Sequence, residues 1–112
     1  MITAAGTFKY GYTDKDGVTH REFELRAPTM ADVESAIEGA EEEAGGAAAT
    51  ARIKRHMWAL TMTRLGTLPP DRITPEILGG LASTEYGILD AVGAELEKKR
   101  EAASGETCAS AV

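Results

Sequence analysis

The side chains best suited to catalysis or metal binding are few and scattered in this sequence. His20 falls on the polar face of a predicted strand, and His56 falls inside a predicted helix. One helical turn away from His56, positions 52 and 60 are Arg and Leu, so no second metal ligand lies beside it. Cys108 is the only cysteine, which excludes an intrachain disulfide and a multi-cysteine zinc site. We therefore expect neither a metal nor a cofactor.

The sequence also lacks the patterns of an activated serine nucleophile and of a phosphate-binding loop. Ser35 and Ser83 have no histidine base near them in the sequence, which an activated serine requires. The glycine pairs Gly45-Gly46 and Gly79-Gly80 lack the following Lys and Ser/Thr of a phosphate-binding loop. The sequence therefore predicts a protein that is not an enzyme.

Two short charged runs are the remaining candidates for binding. The net charge is −6, from 12 Lys and Arg against 18 Asp and Glu, which argues against nucleic-acid binding driven by phosphate contacts. A basic run at 52–56 could still touch nucleic acid, but it is better interpreted as a solvated helix face that balances an acidic first helix. The acidic run at 41–43 is either a solvated face or a surface for a basic partner.

Length and composition fit one small domain. The chain has 112 residues, 43% of them hydrophobic but only 5% aromatic, so the core must be mainly aliphatic. The first residues lack the pattern of a signal peptide, and no stretch approaches the ~20 apolar residues of a membrane helix. We expect a soluble intracellular protein with no membrane partner, one domain over 1–103 and a flexible tail over 104–112.

The elements begin with a β-hairpin over residues 7–26. Large apolar and small or polar residues alternate on both sides of Asp16-Gly17, a dipeptide typical of two-residue hairpin turns. That turn sets Tyr12 opposite Arg21, Tyr10 opposite Phe23, and Phe8 opposite Leu25, so that the large apolar residues share one face. A three-residue loop would set Phe8 opposite Glu24 and divide the apolar set, so we reject it.

Both hairpin strands are expected to be sheet edges. Edge strands offer unpaired N–H and C=O groups, and neither strand contains a proline that would block pairing. We therefore predict a homo-oligomer whose contact involves Phe8, Tyr10, Phe23 and Leu25.

Helix signals fill the remaining chain. Thr29, with Asp32 three residues later, is a predicted N-cap, and an apolar stripe follows at helical spacing: Met30, Val33, Ile37, Ala40 and Ala44. A second helix is predicted over 47–65, ended by Gly66. Thr74-Pro75 begins a short third helix and Ser83 caps a fourth. The predicted fold is α+β, mostly α, with an N-terminal antiparallel hairpin followed by three to four helices.

Three elements together carry a family resemblance over about residues 20–95. They are the segment 23–29 (FELRAPT) with Asp32, the break 65–70 (LGTLPP) after a leucine-containing helix, and the short apolar segment and last helix beyond it. This pattern resembles the tail assembly chaperones of tailed bacteriophages, the Mu-like and protein E group. The Ala/Gly-rich junction after the first helix and Gly79-Gly80 depart from that pattern.

The resemblance implies a non-enzymatic assembly factor. Such a protein coats the tape measure protein before the tail tube polymerises, acts in the bacterial host cytoplasm and is absent from the mature virion. The tail tube protein is a second possible partner. The alternative class is a small regulatory or antitoxin-like helical protein that binds nucleic acid or one protein.

A partner-binding surface is expected around the short segment between the second and fourth helices. A chaperone for a helical client needs apolar surface, and this segment is loosened by Gly79-Gly80. The candidate partner-binding residues are Ile77, Leu78, Leu81, Trp58 and Tyr86. The alternative is that Ile77 and Leu81 only close the core.

Overall fold

The computed structural model describes the backbone of residues 2–111 and the side chains of residues 2–104. A three-stranded sheet and four helices make up the α+β fold, so the predicted fold class is confirmed. The elements, in chain order, are β1 Thr3–Thr13, β2 Thr19–Arg26, α1 Met30–Ala44, α2 Thr50–Thr61, β3 Met62–Leu65, a 3-10 turn Pro70–Arg72, α3 Pro75–Gly79 and α4 Glu85–Ala111. The predicted tail over 104–112 overlaps the end of α4, and beyond residue 104 it lies outside the described side chains, so its flexibility stays a prediction.

The core lies between one face of the sheet and the helices. The rings of Phe8 and Phe23 stack with centroids 4.3 Å apart at its centre. α4 packs chiefly against β1, and its buried stripe of Leu89, Val92 and Leu96 covers this face. Fully burying an aromatic or aliphatic side chain contributes roughly 1.5–3 kcal/mol, so this face is the main source of stability.

The predicted hairpin is present, but its predicted register is wrong. Thr13 lies opposite Thr19 and Tyr12 opposite His20, the alignment of the longer loop rejected above. The Asp14 carboxylate explains the difference, because one of its oxygens accepts the N–H groups of Asp16 and Val18, at 2.9 and 3.0 Å. A side-chain acceptor that closes the loop in this way competes with the two-residue turn.

A β-bulge of four residues then shifts the register again. Residues 8–11 on β1 lie opposite Arg21 alone, and beyond them Thr7 faces Glu22 and Gly6 faces Phe23. Gly11 sits in the left-handed region with φ 79°, as bulges often require. The bulge turns Tyr10 outward, where it is 57% exposed, so Tyr10 does not share the apolar face of Phe8.

The expectation that both hairpin strands are edges is also wrong. The sheet order is β1-β2-β3, so Phe23 and Leu25 lie on the central strand and are buried. Phe8 is buried too, which leaves its side chain inside the core. Only β1 and the short β3 have outer edges, so self-association stays a prediction that now depends on β1.

Helix α1 begins as predicted, and it packs through small residues. Thr29 and Asp32 form the reciprocal capping box, with Asp32 N–H to Thr29 Oγ1 at 3.2 Å and Thr29 N–H to Asp32 Oδ2 at 2.8 Å. The helix packs on α2, and the residues it buries are Ala36 and Ala40. Small residues let the helices approach closely, and a Cβ added to Gly39 would lie 2.8 Å from His56 Nδ1. The predicted stripe of larger side chains therefore stays at the surface.

The second helix ends four residues before its predicted end. α2 stops at Thr61, and Met62–Leu65 continue as β3, which pairs antiparallel with β2. Tertiary pairing overrides helix propensity here, because the free side of β2 offers hydrogen bonds and buries Met62 and Leu65. Thr74 caps α3 as predicted, whereas α4 begins at Glu85, two residues after Ser83.

Acid is expected to destabilise the fold through Asp32. The bidentate Arg26 guanidinium, with N···O distances of 2.6 and 3.0 Å, is the main reason that the pKa of Asp32 is far below its ordinary 3.8. A carboxyl with a lower pKa when folded contributes stability above its unfolded pKa and loses it as the pH falls. We expect urea unfolding to show a falling free energy of unfolding below about pH 5, with a smaller fall in Asp32→Asn. An equal fall in both proteins would contradict the assignment.

Candidate partner-binding groove

Helices α2 and α4 lie over the sheet with a groove between them. α4 packs chiefly on β1, whereas α2 packs chiefly on α1 and α3. Side chains from both helices, with α3 at one end, line the groove. Two depressions follow it, one of about 380 Å³ and one of about 250 Å³, and Trp58 lines both.

The larger depression brings together four of the five predicted partner-binding residues. Trp58 and Tyr86 meet edge to face, with ring centroids 5.2 Å apart. Leu78 and Leu81 line the same depression, beside Leu89. Trp58 and Leu78 are buried and form the floor, whereas Leu81 and Tyr86 are partly exposed. The arrangement offers an apolar floor with accessible walls, which suits apolar side chains of a protein partner.

Ile77 is the predicted residue that lies elsewhere. It is partly buried against the core and lines a separate shallow depression with Gly11, Tyr12 and Glu76. Because successive residues of a helix point about 100° apart, Ile77 and Leu78 lie on different sides of α3. The prediction that Ile77 belongs to the same surface as Leu81 is therefore not met by this arrangement.

A side-chain bridge divides the groove. Lys54 Nζ lies 2.9 Å from Asp90 Oδ1 and 5.6 Å from the centroid of the Tyr86 ring. The hydrogen bond from Lys54 to Asp90 is the main cause of a raised pKa of Lys54. This bridge is solvent-exposed, so it contributes at most about 1 kcal/mol and can open at little cost. Both residues of the bridge line the smaller depression, whose apolar lining includes Leu25, Met57 and Leu96.

The basic side chains of α2 form ion pairs within the protein. Glu43 of α1 is within ion-pair distance of Arg52, Arg55 and His56, and hydrogen bonding to Arg55 is the main cause of a lowered pKa of Glu43. Arg55 also donates to Pro75 O at 2.9 Å. The interpretation that this run balances the acidic first helix is confirmed. The alternative of a nucleic-acid surface here loses its support, because these cations are already paired.

Glu85 is the principal structural residue that the sequence did not reveal. Its carboxylate is buried and accepts three backbone N–H groups from the bulge, Lys9 to Oε1 at 3.0 Å, and Tyr10 and Gly11 to Oε2 at 3.1 and 2.9 Å. Burial raises the pKa of Glu85, but the hydrogen bonds from these amides outweigh it and the net pKa is lowered. No local signal distinguishes this glutamate from any other acidic residue in the first turn of a helix.

The two histidines act as structural groups. His20 is buried, not on a polar face as predicted, and its Nε2 lies 2.8 Å from Asp14 Oδ2 while Nδ1 accepts the Thr67 N–H at 3.3 Å. His56 lies at the α1–α2 contact, 3.7 Å from Glu43. Among the side chains that the structure describes, no three His, Cys, Asp or Glu residues come together as a metal-binding group. Cys108 lies outside those side chains.

Comparison with known proteins assigns no relative. No family model, no curated protein and no solved structure matches the chain. Among residues 2–111, no helix is both long enough and apolar enough to cross a membrane.

Proposed function

We propose that the protein is a non-enzymatic tail assembly chaperone of a tailed bacteriophage, which binds the tape measure protein and prevents its aggregation before the tail tube polymerises. It would act in the bacterial host cytoplasm, be absent from the mature virion, and possess a second contact with the tail tube protein. The observation that carries the proposal is the α2–α4 groove, where Trp58, Leu78, Leu81 and Tyr86 converge. The segment resemblance described above supplies the identity of the client.

The groove has the properties that helix recognition requires. A client helix presents apolar side chains at i, i+3 or i+4 and i+7, which fit successive depressions along a groove. Aromatic residues such as Trp58 and Tyr86 give large contact areas at a low cost in side-chain entropy. The weak Lys54–Asp90 bridge separates the two depressions and can give way when a helix enters.

The decisive experiment is a pull-down with groove variants. We expect wild-type protein, co-expressed with the product of the neighbouring long coiled-coil gene, to retain that product. Leu81→Asp with Tyr86→Asp should abolish retention, because both side chains line the groove and are only partly buried. Circular dichroism and thermal unfolding check that the variant is folded.

A matched control uses exposed apolar residues far from the groove. Val18→Asp with Ala102→Asp adds the same two charges at exposed side chains that line neither depression, and it should leave retention unchanged. If the double groove variant unfolds, Leu81→Ser and Tyr86→Ser are tested singly. Retention by folded groove variants would exclude the groove, and failure of the wild-type protein to retain the client would exclude the proposed function.

A further inference from the structure

A second apolar surface lies on the opposite side of α2 from the core. Three apolar residues of α1 remain exposed, Met30 at 82%, Val33 at 37% and Ile37 at 36%, and Leu60 of α2 is 45% exposed. At 3.6 residues per turn, the three α1 residues fall within about 60° of one another, so they form one stripe. The three residues stay outside the core, because Ala36 and Ala40 occupy the face of α1 that meets α2.

The stripe and Leu60 belong to one continuous patch. α1 and α2 are antiparallel, since Glu43 near the end of α1 meets Arg52 near the start of α2, while Arg26 donates to both Asp32 and Leu60 O. On helical spacing, Leu60 lies on the same side of the helix pair as the α1 stripe, together with the half-buried Ile53. We call these five residues the outer patch: Met30, Val33, Ile37, Ile53 and Leu60.

The charge along the α1 side of the outer patch has one sign. α1 carries six carboxylates and no Lys or Arg, and Glu34, Glu38 and Glu41 follow the exposed edge of the stripe. Within the described side chains, no ion pair involves these three glutamates, whereas Asp32 and Glu43 are paired. An apolar stripe with an unpaired acidic rim complements a helix that has an apolar face bordered by Lys or Arg.

We infer that the outer patch is a second docking surface and that it takes a cationic amphipathic helix from another protein. A second copy of this chain is the poorer occupant, because two acidic rims would repel and the basic run of α2 is already paired with Glu43 and Asp90. This surface is separate from the α2–α4 groove, so the inference does not depend on the proposed function. A protein with both surfaces can hold two helices at once.

The test measures the binding of a labelled peptide by fluorescence anisotropy. The probe is a synthetic Leu/Lys amphipathic helix of about 18 residues, with the matching Leu/Glu peptide as the charge control. Wild-type protein should bind the Leu/Lys peptide and not the Leu/Glu peptide. The rim variant Glu34→Gln, Glu38→Gln, Glu41→Gln should weaken binding roughly tenfold or more, and added salt should weaken wild-type binding.

Two further variants separate the patch from diffuse charge. Met30→Ser with Ile37→Ser should weaken binding by a similar factor, and both side chains are exposed enough for the fold to survive. A second triple variant removes the same charge from exposed glutamates elsewhere, Glu22→Gln, Glu95→Gln and Glu101→Gln, and should leave binding unchanged.

Four results would overturn the inference. They are an absence of binding by the wild-type protein, an equal loss in both triple variants, a loss caused by Leu81→Asp with Tyr86→Asp in place of the outer-patch variants, and self-association of the wild-type protein that Met30→Ser with Ile37→Ser abolishes. The last result would make a second copy the occupant.

Discussion

Replacing Glu85 with alanine is expected to lower the free energy of unfolding by about 3 kcal/mol or more. The substitution removes the acceptor for three backbone N–H groups at the β1 bulge. Each unsatisfied buried donor costs about 1–3 kcal/mol, and the lower end applies here because water can reach parts of the bulge. Since small domains have only about 5–15 kcal/mol of stability, the variant should lose a large part of it. Urea denaturation at neutral pH provides the measurement.

Two companion variants identify the cause. Glu85→Gln keeps one acceptor oxygen but turns an amide NH₂ toward a backbone donor, so it should fall between wild type and alanine. Glu95→Ala removes an exposed carboxylate from the same helix and should change stability by less than about 0.5 kcal/mol. A Glu85→Ala protein that is as stable as Glu95→Ala would show that the bulge amides find other acceptors.

Gly66→Ala should also cost about 3 kcal/mol, for a different reason. Gly66 has φ 60°, which an alanine adopts only at a cost, and its added Cβ would lie 2.6 Å from His20 Cβ and closer still to Nδ1. His20 cannot move aside freely, because it is buried and held between Asp14 and Thr67. The substitution therefore combines backbone strain with overpacking of a buried ring.

Gly45→Ala is the matched control for this substitution. Gly45 has φ 72° at the end of α1, and a Cβ there would meet no atom within 4 Å. It should lose only the backbone contribution, about 1 kcal/mol. The difference between the two variants in thermal or urea unfolding measures the overlap with His20. Equal losses would mean that the ring relocates without cost.

Local chemistry was readable from the sequence, and long-range contacts were not. The Thr29 capping box and the Thr74-Pro75 start of α3 each depend on neighbours within a few residues. The bulge and β3 depend on partners far away in the chain, because Glu85 lies 74 to 76 residues from the amides it accepts. The hairpin register was wrong for two reasons. At the turn the cause is local, because Asp14 closes the longer loop, whereas the further shift at the bulge occurs where the amides meet Glu85 on α4, which no spacing within residues 7–26 indicates.

The candidate groove shows the same division. The residue types of Trp58, Leu78, Leu81 and Tyr86 and their segments indicated an apolar surface between α2 and α4, and the structure brings them to one depression. Ile77 was included because it belongs to the same apolar run, but the single turn of α3 directs it elsewhere. The α1 residues of the outer patch were predicted as part of an apolar helix stripe, but periodicity identifies a face without saying what covers it.

The pairing of β1 with α4 has a consequence for the order of events during synthesis. The apolar face of the hairpin is completed early, but the helix that covers it lies near the other end of the chain, and the contact spans most of the sequence. Contacts of such long range form late, because the entropy of closing a large loop is lost before the contacts can stabilise the chain. A nascent chain on the ribosome would therefore display Phe8 and Phe23 until Glu85 and Leu89 have been released from the exit tunnel. For that interval the chain would be a client for the cell's general chaperones.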